Sequence, residues 1–379
     1  MSVSVSEINS KKELALFAQF PFDLYKHTRY WVPPVRKDEL QALLPESNPA
    51  FRFCECKWWL AKKHGRIVGR IGAIINHRYN EKTGEKMARF TRLEFIDDEE
   101  VSGKLLDAAE KWARQRGMNG IHGPLGFSNL DHQGLLIEGF DQLPSIASEY
   151  HMPYYRNHIE KKNYCKEIDW LEFRLTIENI PEKAKRLAEA IKSRYGLHII
   201  RFSKREAIRP YADKIFKLLN EAFSDLFSVA SLDSAMRKYY VERYLNFLNP
   251  RFVILVADKQ NELAGFIIGM PSLSEAMQKA KGRIFPFGWI HLRKALNTPS
   301  VVDLMLTAVR PDLQAQGIPA ILITELQQTM IDYGVQYAET TGILETNEKA
   351  IQVWKNYKHI QHKRKRCYKK IFSQSDKTW

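Results

Sequence analysis

The chain repeats one pattern of strands, turns and helices about 200 positions apart. Two apolar runs joined by a short polar turn occur at 58–69 and again at 254–265, and in both copies an Ala is followed eight positions later by a Gly. Strand-like runs on either side of a short turn predict a β-hairpin. A pattern that recurs in this way indicates two copies of one supersecondary unit.

Each copy continues with an amphipathic helix that ends at a glycine. Apolar residues recur at helical spacing over 101–113 and over 321–333, and Gly117 and Gly334 follow as stop signals. A strand-like run comes after each glycine, and Lys-Asn-Tyr stands near the end of each copy. The order of elements therefore agrees over the whole length of both copies.

The repeat predicts a tandem α/β protein in which each unit is a twisted, mixed and mostly antiparallel sheet flanked by helices. We expect residues 1–175 to form the first unit, 176–197 a linker helix and 198–379 the second unit. Unequal spacing of the copies predicts insertions within Pro271–Ser300 and Asp131–Glu160. At 379 residues, either half is long enough to bury its own core. The alternative is chance similarity between two unrelated α/β halves.

The charge balance favours polyanionic partners. The 58 Lys and Arg residues outnumber the 44 Asp and Glu residues, which gives a formal net charge of +14. Nucleic acid, an anionic membrane and a phosphate-rich cofactor all fit this charge. The N-terminus does not resemble a signal peptide and no window of about 18 apolar residues occurs, so we expect a cytoplasmic protein. The spacing of the four cysteines predicts buried free thiols and no metal site.

The most informative stretch is 302–320, where a strand leads through a short loop into a helix. The strand runs to Val309 and ends at Pro311, which has no N–H for a sheet. Gly317 allows a ligand to approach the backbone closely, and Pro319 suits the first turn of a helix. The free N–H groups at the start of this helix, together with its dipole, predict a site for a diphosphate.

The order Val-x-Pro-x-x-Gln-x-x-Gly-x-Pro in this stretch resembles the acetyl-CoA-binding motif of the GNAT (N-acetyltransferase) superfamily, Gln/Arg-x-x-Gly-x-Gly/Ala. Gln314 and Gly317 match the motif, and Pro319 departs from it at the last position. The resemblance covers 198–372 at the level of motifs, and the first half resembles the same fold without the motif. The layout also looks like that of two-domain bacterial GNAT proteins, some of which are implicated in N-acylating lipid bases.

The resemblance implies acetyl-CoA or a longer acyl-CoA as co-substrate and an amine as acceptor. A later segment, in which Asn347 is followed by Ala350 and Ile351, is similar to the part of the family that lies at the CoA arm. The residues that match the cofactor-binding segments are Ala308, Val309, Gln314, Ala315, Gln316, Gly317, Ile318, Ala320 and Asn347.

Acyl transfer to an amine needs a base for the ammonium proton, donors for the thioester carbonyl and an acid for the leaving thiolate. In many GNAT proteins the acid is a Tyr at the position that Trp354 occupies here, so Tyr357 is the candidate. Candidate bases are Asp303, Glu339 and Glu345, and we predict that Glu345 is the base. Alternation along a strand predicts that Glu339 and Glu345 share one face. A water relay is an alternative.

The first copy has acidic residues where the second has its loop. Shifting the loop by 217 positions places Gln314 on Asp97 and Gly317 on Glu100. Four consecutive carboxylates, Asp97–Glu100, would repel a pyrophosphate. We therefore expect the first unit to have lost cofactor binding and to shape the acceptor cleft.

Two basic segments leave further partners open. The aromatic run 284–292 lies between Lys and Arg residues and predicts contact with a membrane or a lid over an apolar substrate, with packing on its own domain as the alternative. Residues 355–370 carry eight Lys or Arg and no acid, which fits a solvated face or a site for CoA phosphates, anionic lipid or RNA.

The expected function is acyl-CoA-dependent N-acyl transfer to an amine acceptor, with peripheral contact at the inner membrane surface as a further expectation. The alternatives are an aminoacyl-tRNA-dependent transferase and a non-catalytic module that binds CoA or another polyanion. DNA is not an expected partner, and the sequence does not predict the oligomeric state.

Overall fold

The computed structural model describes residues 2–354 and 357–373, so Lys355 and Asn356 of the second Lys-Asn-Tyr lie outside the described residues. The chain forms two compact units. The first contains the chain up to Leu171, Lys281–Ile284 and the residues from Lys363 onward, and the second contains Glu172–Ala280 and Phe285–His362. This division by contacts does not follow chain order, since the C-terminal residues belong to the first unit.

The first half of the chain supplies seven strands and six helices. The strands are β1 (Ser4–Glu7), β2 (Cys54–Lys63), β3 (Arg66–Asn76), β4 (Met87–Phe95), β5 (Gly120–Gly123), β6 (Leu135–Glu138) and β7 (Cys165–Thr176). The helices are α1 (Lys11–Leu24), α2 (Arg36–Ala42), α3 (His77–Thr83), α4 (Glu99–Gln115), α5 (Tyr155–Lys161) and α6 (Glu182–Tyr195).

The described residues of the second half form another seven strands and six helices. The strands are β8 (His198–Arg201), β9 (Val253–Ala257), β10 (Leu263–Pro271), β11 (Val301–Val309), β12 (Tyr337–Thr340), β13 (Ile343–Leu344) and β14 (His359–Ile371). The helices are α7 (Ala212–Ala222), α8 (Ser234–Tyr244), α9 (Ser274–Ala280), α10 (Gly288–Asn297), α11 (Ile318–Asp332) and α12 (Glu348–Trp354).

The sheets of the two units have the same strand order and the same directions. In the first unit β1, β2, β3 and β4 pair antiparallel in turn, and β5 pairs parallel with β4. In the second unit β8, β9, β10 and β11 pair antiparallel in turn, and β12 pairs parallel with β11. The predicted α/β fold, with mixed and mostly antiparallel sheets flanked by helices, is confirmed.

Each unit takes the strand beyond its parallel pair from the other half of the chain. In the first unit, residues Tyr368–Ile371 of β14 pair antiparallel with β5. In the second unit, residues Arg174–Thr176 of β7 pair antiparallel with β12. The two halves have therefore exchanged their last strands, an arrangement that the repeat did not predict.

The predicted hairpins and amphipathic helices are confirmed at the expected places. The first hairpin closes between Lys63 and Arg66, and the second between Ala257 and Leu263. The buried face of α4 packs on the first sheet through Val101, Leu105, Leu106, Ala109 and Trp112, which recur at the spacing of an apolar helical face. Burial of these side chains, each stabilising by about 2 kcal/mol, holds the helix against the sheet.

All four cysteines are free thiols. Cys54 and Cys367 are buried as expected, but Cys165 is exposed and Cys56 is half-buried, so the expectation is wrong for these two. Cys165 opens β7, where the pattern of burial begins with exposed residues. Within 2–354 and 357–373, none of the helices is both long and apolar enough to cross a membrane.

Candidate functional site

The loop between β11 and α11, residues 310–317, is the candidate anion site. A short 3-10 turn, Pro311–Leu313, follows the strand, and the loop reaches the helix at Gly317. Gln314, Ala315 and Gln316 are exposed and Gly317 is half-buried. The loop is therefore accessible, and residues 314–317 lie immediately before the N-terminus of a 15-residue helix.

The backbone of the loop turns twice through the left-handed region. Ala315 has φ +66° and Gly317 has φ +82°. At Gly317 a side chain is doubly disfavoured, because a Cβ there would also meet Ile191 Cδ1 at 2.5 Å. The positive φ thus favours the glycine that the motif predicted, and an added Cβ would also displace the terminal methyl group of Ile191.

Several N–H groups of the loop point to no backbone acceptor. The bonds within the loop use the N–H groups of Leu313, Gln314, Gln316 and Ala320. Among the backbone bonds of the described residues, none uses the N–H of Ala315, Gly317 or Ile318. Pro319 offers no N–H, as the sequence predicted. Three amides at a helix N-terminus, where the dipole is positive, form a site suited to a phosphate group.

Helix α6 contributes to this loop, although the sequence predicted it only as a linker. Ile191 packs against Gly317, and the Tyr195 hydroxyl donates a hydrogen bond to the side-chain oxygen of Gln316. The helix is also tied to α11 by the ion pair of Lys192 with Glu325 at 3.5 Å. The amphipathic pattern of α6 indicated a buried face, but nothing in the sequence indicated which element that face would contact.

The strand before the loop separates from its parallel neighbour. The pairing of β11 with β12 stops at Leu304 and Thr340, and the Thr341 hydroxyl donates to the carbonyl oxygens of Leu304 and Met305 at 3.3 Å each. A register shift opposite Ile268 and Gly269 falls at the same level of the sheet. Beyond this level, within the described part of the chain, β11 pairs with β10 alone, so the backbone groups of its other edge have no strand partner there.

The side chains on this strand differ in exposure. Met305, Leu306 and Thr307 are half-buried, whereas Ala308 and Val309 are buried at 4% and 8% exposure. The predicted contacts of Ala308 and Val309 with a cofactor are consequently confined to their main chain. That main-chain N–H groups of this strand donate to the thioester carbonyl stays a prediction.

The segment after β13 forms a short helix that Asn347 caps. The Asn347 Oδ1 atom accepts a hydrogen bond from the Ala350 N–H at 3.2 Å. Trp354 is buried at the end of this helix, and its ring centroid lies 6.2 Å from that of Tyr357. Tyr357 is half-buried, and burial raises the pKa of its hydroxyl. The hydroxyl is thus protonated at neutral pH and is chemically able to act as an acid.

The structure separates the candidate bases that the sequence placed on one strand face. Glu339 lies on β12, which ends at Thr340, and Glu345 lies in the turn after β13. The prediction that Glu339 and Glu345 share a face of one strand is wrong, because 341 and 342 leave the sheet. Strand alternation therefore does not extend across the two residues.

The two carboxylates also differ in their partners. Glu339 is buried and accepts hydrogen bonds from Arg174 Nε at 2.8 Å and Nη2 at 2.6 Å. The His362 Nε2 atom lies 3.9 Å from its other oxygen. Asp303 is buried and faces Glu339 in the strand register. Glu345 is half-buried. The Glu339 carboxylate therefore already has a guanidinium partner.

In the first unit the corresponding N-terminus, that of α4, is capped by the carboxylate of Asp98. Only residues 96–98 separate β4 from α4, so the loop is shorter than in the second unit. Asp98 is the N-cap, and its Oδ1 accepts from the N–H groups of Glu100 and Val101. The hydrogen bond from Lys63 lowers the pKa of this carboxyl. The helix dipole and amides are thus already satisfied.

The expectation that the first unit holds no diphosphate stays a prediction, and the alignment on which it was based differs from the structure. The shift of 217 positions placed Gly317 on Glu100, whereas the structure makes Gly317 and Asp98 the equivalent N-caps. The difference in loop length accounts for the error, since a constant shift cannot describe two loops of unequal length.

A second cluster in the first unit has residue types that bind metals. The His122 Nδ1 atom lies 2.9 Å and the Cys367 Sγ atom 3.3 Å from the same oxygen of Glu167. Histidine, cysteine and glutamate are ligands of zinc. Lys369 already lies 3.3 Å from the other Glu167 oxygen, so a cation of the chain balances this carboxylate. The residues come from β5, β7 and β14, and their sequence spacing contains no metal motif.

Comparisons with known proteins agree with this architecture. Residues 212–357 match the acetyltransferase (GNAT) family. The chain is 30% identical over 372 residues to Protein YghO of Escherichia coli K12, covering 95% of this chain and 93% of that protein. It is 26% identical over 377 residues to a bacterial ceramide synthase of Caulobacter vibrioides, covering 97% of both.

A solved structure of a tandem GNAT protein from the clavulanic acid biosynthesis pathway has the same fold. It superimposes with a TM-score of 0.56 at 12% sequence identity, and the alignment covers 98% of both chains. The similarity extends through both units, so the whole chain shares a known two-unit architecture.

Proposed function

The chain belongs to the GNAT acetyltransferase family, and from this membership we propose that it transfers the acyl group of an acyl-CoA to an amine acceptor. The loop before α11 is the observation that carries the proposal. Its amides at Ala315, Gly317 and Ile318 suit the diphosphate of CoA, and Gln314, Ala315 and Gln316 are exposed. Gln314, Gln316 and Ala320 flank these amides, and Asn347 is the proposed contact at the CoA arm.

A lipid amine is the proposed acceptor, with a long acyl chain as the donor group. Ceramides are N-acylated lipid bases, so the name of the Caulobacter vibrioides relative supports this choice. Its similarity extends over 97% of this chain, including both units. An acetyl donor remains within the same proposed mechanism, since the diphosphate site does not select the acyl group.

Reaction at this site requires one proton to leave the amine and one to reach the thiolate. We assign the first to Glu345, directly or through a water molecule, and the second to Tyr357. The amine nitrogen then forms a bond with the acyl carbon while the bond from that carbon to sulfur breaks. The free edge of β11 beyond Leu304 supplies backbone donors for the acyl oxygen. Tyr357 carries this proton at neutral pH, since the ordinary pKa of a tyrosine is near 10 and burial raises it further.

The decisive experiment measures binding of CoA, acetyl-CoA and palmitoyl-CoA by calorimetry, followed by release of free CoA thiol in the presence of a long-chain amine. The variant Gly317→Glu places a carboxylate at the amides and should abolish binding of all three. Gly334→Glu is the matched control, because Gly334 also has positive φ, ends the same helix, and has nothing within 4 Å of an added Cβ.

The wild-type chain should bind at least one of these compounds, and Gly334→Glu should bind it within about twofold of the wild type. Failure of all three compounds to bind would remove the proposal, and binding of transfer RNA instead would favour the aminoacyl-tRNA-dependent alternative. Unchanged binding by a folded Gly317→Glu variant would show that the loop is not the CoA site.

A further inference from the structure

An exposed group of large apolar side chains lies on the insertion between β10 and β11. Phe285 is 78% exposed and Phe287 71%, and Trp289 and Ile290 are 43% and 48% exposed. We call these four residues the apolar patch. Exposed apolar residues normally occur singly, and a contiguous group marks an interaction surface. The alternative that this segment packs its aromatic residues on its own domain does not hold for these four side chains.

Half of the patch, Trp289 and Ile290, lies on helix α10, which is fixed to the second unit, and Phe285 and Phe287 lie in the turn before this helix. Leu292 and Leu296 are buried at 5% and 8% exposure, so α10 has an anchored face. The Asn249 side chain donates to the Leu296 carbonyl oxygen at 2.9 Å. The Trp289 Nε1 atom donates to the carbonyl oxygen of Pro286 at 2.9 Å, which ties the helix to the preceding turn. Other residues thus hold the helix, and the apolar patch remains available.

The charged residues of the segment that carries the patch are all basic. Arg293 and Lys294 are exposed and follow Trp289 and Ile290 by four positions, which places them on the same side of the helix. From 276 to 302 the chain contains five Lys or Arg and no Asp or Glu. Apolar side chains that are flanked by basic ones match the interface of an anionic bilayer, where the rings enter the headgroup region and the cations meet lipid phosphates.

We propose that the apolar patch, together with Arg293 and Lys294, docks the protein on an anionic phospholipid bilayer. One apolar anchor binds a membrane only weakly, and stable binding needs a second signal. Here the patch supplies the first signal and the basic pair the second. The proposal goes beyond acyl transfer, because it uses no residue of the loop before α11.

The position of the insertion leaves the loop accessible on a docked protein. The insertion joins β11 at Val301, and the loop leaves the same strand at Val309. Eight residue steps at about 3.3 Å each separate these points by about 26 Å along the strand. Docking therefore need not cover the amides proposed for CoA.

The test is co-sedimentation of the full chain with vesicles of phosphatidylcholine and phosphatidylglycerol at a 7:3 ratio, compared with phosphatidylcholine alone. We expect at least tenfold stronger partitioning onto the anionic vesicles, decreasing as salt is raised. The variants Phe285→Ser/Phe287→Ser and Arg293→Glu/Lys294→Glu should each weaken partitioning at least tenfold.

Two control variants match these changes elsewhere on the second unit. Leu187→Ser removes another exposed apolar side chain, since Leu187 is 52% exposed. Lys183→Glu/Arg186→Glu changes the net charge by the same amount as the patch variant, at two exposed positions on α6. Both controls should partition within about twofold of the wild type. Circular dichroism and CoA binding report whether each variant is folded.

Absence of partitioning, or equal partitioning onto uncharged vesicles, would overturn the proposal. Equal losses in patch and control variants would overturn it too, since general charge would then account for binding. If the wild type dimerises without binding vesicles and Phe285→Ser/Phe287→Ser is monomeric, the patch is a surface for a second copy and the proposal fails. CoA binding is measured separately, so failure of the proposed function would leave these outcomes interpretable.

Discussion

Substitutions at Ala315 test, through charge alone, whether the loop binds the phosphates of CoA. Ala315 is exposed and has φ +66°, a conformation that Asp and Asn adopt more readily than other residues with a side chain. Ala315→Asp adds one negative charge beside the amides of the loop. Ala315→Asn has nearly the same size and shape without the charge, so the pair isolates the electrostatic effect on CoA binding.

The size of the effect follows from the exposure of the loop. A carboxylate about 6 Å from a diphosphate of about two negative charges is repelled by about 1.4 kcal/mol in water. This corresponds to about tenfold weaker binding without salt. Because the Debye length is about 10 Å at 0.1 M salt, screening reduces the repulsion to about half and the ratio to about fourfold.

Calorimetric titration of CoA into both variants at 0.01 M and 0.1 M salt measures this ratio. We expect Ala315→Asp to bind more weakly than Ala315→Asn, and the difference to shrink as salt is added. Equal affinities at low salt would refute the reasoning that CoA phosphates lie at this loop. Equal losses in both variants would point to a change of shape, and a ratio that is independent of salt would exclude a Coulombic cause.

Two further predictions concern protons. Burial lowers the pKa of His151 to about 4, below the ordinary value near 6.5, so as pH falls the unfolded chain takes up a proton before the folded one does. This should remove about 2 kcal/mol of stability between pH 7 and pH 4.5. Urea unfolding of His151→Asn should show a smaller decrease over that interval. Tyr357→Phe and Glu345→Gln should each lower kcat about tenfold or more in the thiol-release assay, because each removes a group that transfers a proton. The affinity for CoA should stay within twofold of the wild type. An unchanged kcat would show that the substituted residue has no part in the mechanism.

Local patterns in the sequence were sufficient for the two hairpins and for the helices that end near Gly117 and Gly334. Each depends on apolar spacing and on a stop residue within one segment, which are features that a single sequence contains. The glycine of the loop at 317 was also predictable, because a positive φ favours glycine.

Contacts between distant segments were not predictable in this way. The pairing of β7 with β12 depends on which edge is open in the folded sheet, and the strand pattern of Cys165–Thr176 fits either edge. The packing of Ile191 on Gly317 joins residues more than a hundred positions apart. The placement of Glu339 and Glu345 failed because alternation holds only within one strand, and two residues outside the sheet separate them.

The exchanged strands set an order for the completion of folding during synthesis. The ribosome makes the segment from Lys363 to Ile371 long after Gly120–Gly123, and the first unit needs that segment beside those residues. Until the segment is made, β5 is an unprotected edge whose backbone groups can pair with another nascent chain. A gene fragment that encodes the first half alone would therefore yield a unit with a missing strand, although that half contains most of its own core.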